Sequence, residues 1–89
     1  MKYRSRTEIV SNILNAANGG TSKTKIMYTA FLSFGQLKEY LSILTVNNLI
    51  EFLDGDNKFR TTEKGLNFLK MYREIGEFLQ QKTTAIKND

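Results

Sequence analysis

Eighty-nine residues with 40% hydrophobic side chains suffice for one small packed core and not for two. With no cysteine and no histidine, the chain lacks disulfides, the common zinc ligands and the usual nucleophile–base pairs, so neither an enzyme nor a metal or cofactor is expected. Thirteen Lys and Arg against nine Asp and Glu leave a charge of +4 and a pI near 9.5, a balance that favours polyanionic partners.

The first helix is announced by Ser5-Arg6-Thr7-Glu8, a capping box in which serine and glutamate bond each other's backbone. Ile9, Val10, Ile13, Leu14 and Ala17 then recur on one helical face, and Asn18-Gly19-Gly20 ends the helix. Thr21 and Ser22 are caps for a brief second helix whose inward stripe reads Ile26, Met27, Ala30 and Phe31. Ser33 and Gln36 form another capping box, opening a third helix with Phe34, Leu37, Tyr40, Leu41 and Leu44 inward. Only Leu32 and Ser33 separate these two helices, the tight connection a helix-turn-helix needs.

After Asn47-Asn48 the periodicity changes to two short strand-like runs, one holding Ile50 and Phe52, the other Lys58-Phe59-Arg60-Thr61. The turn Asp54-Gly55-Asp56-Asn57 between them makes a hairpin, and a hairpin in this position is a wing. Thr61 or Thr62 caps a long last helix over residues 63–85, with Glu63 favourably placed in its first turn. Leu66, Leu69, Tyr72 and Gly76 lie on one side of it, Leu66 and Leu69 being expected to cover the domain's own core. Phe68, Met71, Ile75, Phe78, Leu79 and Ile86 spread over the adjoining arc. That arc is wider than one small domain covers, which assigns its distal half to a partner. The tail, residues 83–89, is polar.

In combination, these stretches resemble small archaeal winged helix-turn-helix regulators. The resemblance lies in Thr24-Lys25-Ile26-Met27-Tyr28, in Leu32-Ser33-Phe34 with Leu37, Tyr40, Leu41 and Leu44, and in Asn48-Leu49-Ile50. Thr61-Thr62-Glu63-Lys64-Gly65 resembles the start of the helix that follows the wing in that group. The likeness spans residues 3–72. It implies a mostly α fold of order α-α-α-β-β-α, whose long C-terminal helix pairs with a second copy in an antiparallel coiled coil. It also implies a homodimer that binds double-stranded DNA, as a transcriptional regulator or a chromatin-associated protein. Asn48 stands where the group often has glycine, and asparagine also accepts the left-handed conformation.

On this frame residues 1–66 are the winged domain and residues 67–89 the dimerisation helix with its polar tail. The second helix of the motif presents its N-terminal residues to base edges, here Ser33, Gly35, Gln36, Lys38, Glu39 and Ser42. Gln36 suits adenine and Lys38 suits guanine or phosphate, whereas Glu39 is repelled by phosphate unless it accepts from cytosine. Lys23, Lys25 and Tyr28 on the preceding helix are candidates for phosphate contact, and Lys58 and Arg60 for contact from the wing, partly offset by Asp54 and Asp56. Lys2, Arg4 and Arg6 form a basic arm, to be read either as a strand laid along the DNA backbone or as an unstructured end. The dimer seam takes Phe68, Met71, Tyr72, Ile75, Phe78, Leu79, Lys82 and Ile86. Lys82 continues the seven-residue spacing from Phe68 through Ile75 and either weakens the seam or fixes its register.

No apolar run approaches the roughly 20 residues of a bilayer crossing, and residues 1–6 do not read as a signal peptide. No small-molecule site is evident, since Gly19-Gly20 lacks the phosphate-loop lysine and Asp54 with Asp56 lack the further ligands of a calcium loop. A cytoplasmic, nucleoid-associated protein is the expectation. The alternative is a winged helix that binds protein, its long helix docking to a different chain.

Overall fold

Serine hydroxyls start the first three helices. Ser5 accepts from the Glu8 N–H, Ser22 from the Lys25 N–H and Ser33 from the Gln36 N–H. At Ser33 the box is reciprocal, because the Gln36 side-chain carbonyl accepts from the Ser33 N–H in turn. The structure, a computed structural model, describes the backbone of residues 4–87 and the side chains of residues 4–79. Its elements are α1 (Arg6–Ala16), α2 (Lys23–Thr29), α3 (Phe34–Val46), β1 (Ile50–Leu53), β2 (Lys58–Thr61) and α4 (Glu63–Lys87). The order is the expected α-α-α-β-β-α. No helix among the described residues is long and apolar enough to cross a membrane.

The core forms where the helical stripes converge. Ile13, Leu14 and Ala17 from α1 meet Ile26 and Ala30 from α2 and Leu37, Tyr40, Leu41 and Leu44 from α3. Ile50 closes the core from the hairpin and Leu69 from α4. The strands pair antiparallel with Glu51 opposite Arg60 and Phe52 opposite Phe59, and Asn57 carries the left-handed turn conformation at φ 54°. Asn48 is left-handed as expected, at φ 61°.

Some residues stand elsewhere than the periodicity places them. Phe31 is not part of the inward stripe: α2 ends at Thr29, Phe31 takes φ 55° and its ring is 83% exposed. That reversal turns the next residue, Leu32, into the core instead. Phe34, the first residue of α3, is likewise outside the core, and its ring lies under the Lys23 ammonium. Leu66 is exposed because Gly65, one residue earlier, is the position of α4 that faces the domain. A Cβ on Gly65 would collide with the Leu49 carbonyl and the Thr61 methyl.

Thr21 pairs rather than caps. Its N–H and carbonyl exchange bonds with Phe59 at 2.9 and 2.8 Å, adding a bridge to the edge of β2. The basic arm is also put to structural use: Arg4 donates to the carbonyls of Ala30 and Phe31, and Arg6 lies 5.5 Å above the Tyr40 ring. Lys2 lies outside the described residues.

The segment from Thr61 to Gly65 holds three elements together. The buried Thr61 hydroxyl donates to the Leu14 carbonyl, while the Thr62 hydroxyl donates to Asn48 O and accepts the Gly65 N–H. Lys64 donates to the carbonyl of Asn47, the residue that caps the C-terminus of α3. Thr62, not Thr61, is therefore the cap of α4.

Candidate nucleic-acid interface

Residues 33–36 at the start of α3 are exposed, with Lys23 of α2 over the Phe34 ring and Phe59 of β2 lining the same groove. Lys23, Lys25 and Tyr28 on α2, Ser33, Gly35, Gln36, Lys38, Glu39 and Ser42 on or before α3, and Lys58 and Arg60 on β2 are all exposed. No Asp or Glu occurs between Glu8 and Glu39, so α2 presents Lys23 and Lys25 with no carboxylate near them in sequence, while Lys38 on α3 is followed directly by Glu39. Such a surface attracts phosphate without a built pocket.

Not every candidate is equally available. The Gln36 carbonyl accepts from the Ser33 N–H in the cap of α3, a bond that holds the side chain back against the helix start. Arg60 is engaged across the hairpin, its Nε and Nη2 donating to Glu51 Oε2 at 3.0 and 2.9 Å. Both partners are about half exposed, so the pair is worth roughly 0.2–1 kcal/mol and yields readily to a phosphate. Lys23 rests 5.6 Å over the Phe34 ring, an arrangement that holds both side chains beside the start of α3.

Between α3, the start of α2 and β2 runs an open groove of about 500 Å³. Leu37 and Leu41 form its floor, Phe34, Val46 and Phe59 its walls, and Lys23 and Lys38 its rim. Ser42 and Thr45 contribute hydroxyls. Reading Phe34 onto the inward face of α3 hides it as a functional candidate, and Phe59, an apolar residue in the strand-like run of β2, is passed over likewise. The signal for Phe34 is its place directly after the cap, where a side chain points back past the helix start rather than along the buried stripe.

The seam candidates divide along α4. Phe68 packs against the domain core and stacks on Tyr72 at 6.3 Å with an 8° interplanar angle. Met71 and Ile75 are 54% and 57% exposed, and Phe78 and Leu79 continue the same exposed stripe. The side chains of Lys82 and Ile86 lie outside the described residues, as does most of the polar tail. Among the described residues no group of three or more Asp and Glu gathers as a metal site.

Three helices, a two-stranded wing and a following long helix define a winged-helix protein. The chain belongs to the winged helix-turn-helix family, which matches residues 3–80. No curated protein matches it in sequence. Among solved structures it is similar to Sso10a-2, a DNA-binding protein from Sulfolobus solfataricus, with a TM-score of 0.80 at 20% identity. The likeness covers 96% of this chain and 92% of that one, so it includes α4 as well as the winged domain.

Proposed function

We propose that the chain binds double-stranded DNA as a homodimer. The observation that carries this reading is the exposed start of α3, flanked by Lys23 and Lys25 on α2 and by Lys58 on the wing, with no acidic residue between Glu8 and Glu39. In this arrangement α3 enters a major groove while α2 and the wing contact phosphates on either side. The DNA-binding function of the Sulfolobus protein, whose fold is the same, supports it. Residues 67–89 then act as the dimerisation segment, two copies of α4 pairing antiparallel along the Met71–Ile75 stripe and setting the distance between heads. The role is that of a regulator or a chromatin-associated protein acting on the nucleoid.

Affinity for a generic duplex, measured over a salt series, tests the reading. A steep log–log fall with salt, reflecting several released counterions, is expected. A flat or absent response would overturn it. The exposure of Met71 and Ile75 equally favours a second reading, in which α4 docks to a different protein. Sedimentation of the free chain decides: a dimer supports the first reading, a monomer the second.

A further inference from the structure

We propose that the groove beside α3 reads the C5-methyl group of pyrimidines in the major groove, with Phe34 as the contacting residue. The inference rests on the reading that α3 enters the major groove, and it names what is recognised there.

Phe34 is the first residue of the recognition helix, the position nearest the bases, yet it is 59% exposed instead of packed in the core. Its side chain points back past the helix start rather than into the core, and the Lys23 ammonium lies 5.6 Å from its ring. With Val46 and Phe59 it gives the groove apolar walls, and no carboxylate lines them. The polar alternatives nearby are restricted. Gln36 is drawn back to the Ser33 N–H by the helix cap, so a bidentate pairing with adenine competes with that bond for the orientation of the side chain. Gly35 has no side chain, and Glu39 only accepts. Beside these polar groups, Phe34 gives the first turn of α3 an exposed apolar surface.

In the major groove of unmodified DNA the one apolar group that distinguishes a base is the thymine methyl, and phenylalanine is among the residues that contact it. Lys23 and Lys38 at the rim would hold the flanking phosphates while the methyl enters between the walls. Withdrawing one methyl group from water corresponds to roughly a fourfold gain in affinity per thymine contacted. 5-Methylcytosine presents the same group at the same place and is recognised equally.

The test replaces every thymine of an A·T-containing duplex by uracil, which removes the methyl and keeps pairing, hydrogen-bonding edges and charge. The uracil duplex should bind the full chain roughly fourfold more weakly or worse, with the salt slope unchanged. Methylating the cytosines of a G·C duplex should raise affinity by a similar factor. Phe34→Ala should bind thymine and uracil duplexes alike while its circular dichroism and melting temperature stay close to those of the parent. Equal affinity for both duplexes with a steep salt slope would overturn methyl reading and leave DNA binding standing. Failure to bind either duplex at low salt would overturn both. A Phe34→Ala protein that still prefers thymine would remove Phe34 from the site. Should that variant fail to fold, the two methyl comparisons on the parent chain still decide.

Discussion

Gly65 is set by a collision rather than by a turn. It lies in the first turns of α4 with nothing but the Leu49 carbonyl and the Thr61 side chain where a Cβ would go. Those neighbours cannot retreat, because Thr61 is buried and bonded to Leu14, and Leu49 carries the carbonyl that accepts from Thr62. Gly65→Ala should therefore lower stability by about 1–3 kcal/mol despite alanine's better helix propensity, as measured by the urea midpoint. Phe31 is the opposite case. It holds a left-handed conformation that bulky residues rarely adopt, and it packs little in return. Phe31→Gly should raise the urea midpoint, by about 1 kcal/mol in stability, since the Leu32 to Met27 bond that closes α2 needs only the backbone. An unchanged or lowered midpoint would mean that the exposed ring makes contacts worth as much as the strain.

Elements were legible in the sequence where their signals are local. The serine caps, the glycine stop after α1 and the turn at residues 54–57 depend only on neighbours a few positions away, and each lies where its chemistry puts it. What periodicity could not reveal depends on contacts distant in sequence: Thr21 pairing with Phe59, Arg4 reaching the carbonyls that end α2, and Gly65 rather than Leu66 facing Leu49. The interface shows the same division. Exposure of the lysines on α2 follows from the stripe of Ile26 and Ala30 opposite them, whereas the commitment of Arg60 to Glu51 follows from strand register. α2 therefore tests the phosphate role cleanly. Because Lys23 also rests over the Phe34 ring, the comparison is made in a Phe34→Ala background, where Lys23→Ala with Lys25→Ala should leave the fold intact and reduce the salt slope by about 2. The loss of affinity should be nearly uniform across duplex sequences. A loss confined to one sequence would assign these lysines to base reading.

At the scale of the whole molecule the question is what α4 is long for. Its twenty-five residues extend roughly 37 Å, and among the described residues Gly65, Phe68 and Leu69 pack on the domain while Met71 and Ile75 are exposed. A single solvated helix of that length is marginal without tertiary packing. Pairing two such helices along the stripe that holds Met71 and Ile75 would cover their exposed faces together. Ile75 separates the possibilities because the two readings assign its substitution very different consequences. If the chain is a monomer, Ile75→Asp changes an exposed position and shifts stability by at most about 0.5 kcal/mol. If two copies pair there, a carboxylate enters the seam against its symmetry mate, and the sedimenting species becomes a monomer. The parent's melting temperature should then rise with protein concentration while the variant's does not. Its two heads no longer being joined, the variant should also show about half the parent's salt slope on DNA. A variant that remains dimeric in sedimentation would remove the stripe from the dimer interface and leave the winged domain's own DNA contacts untouched.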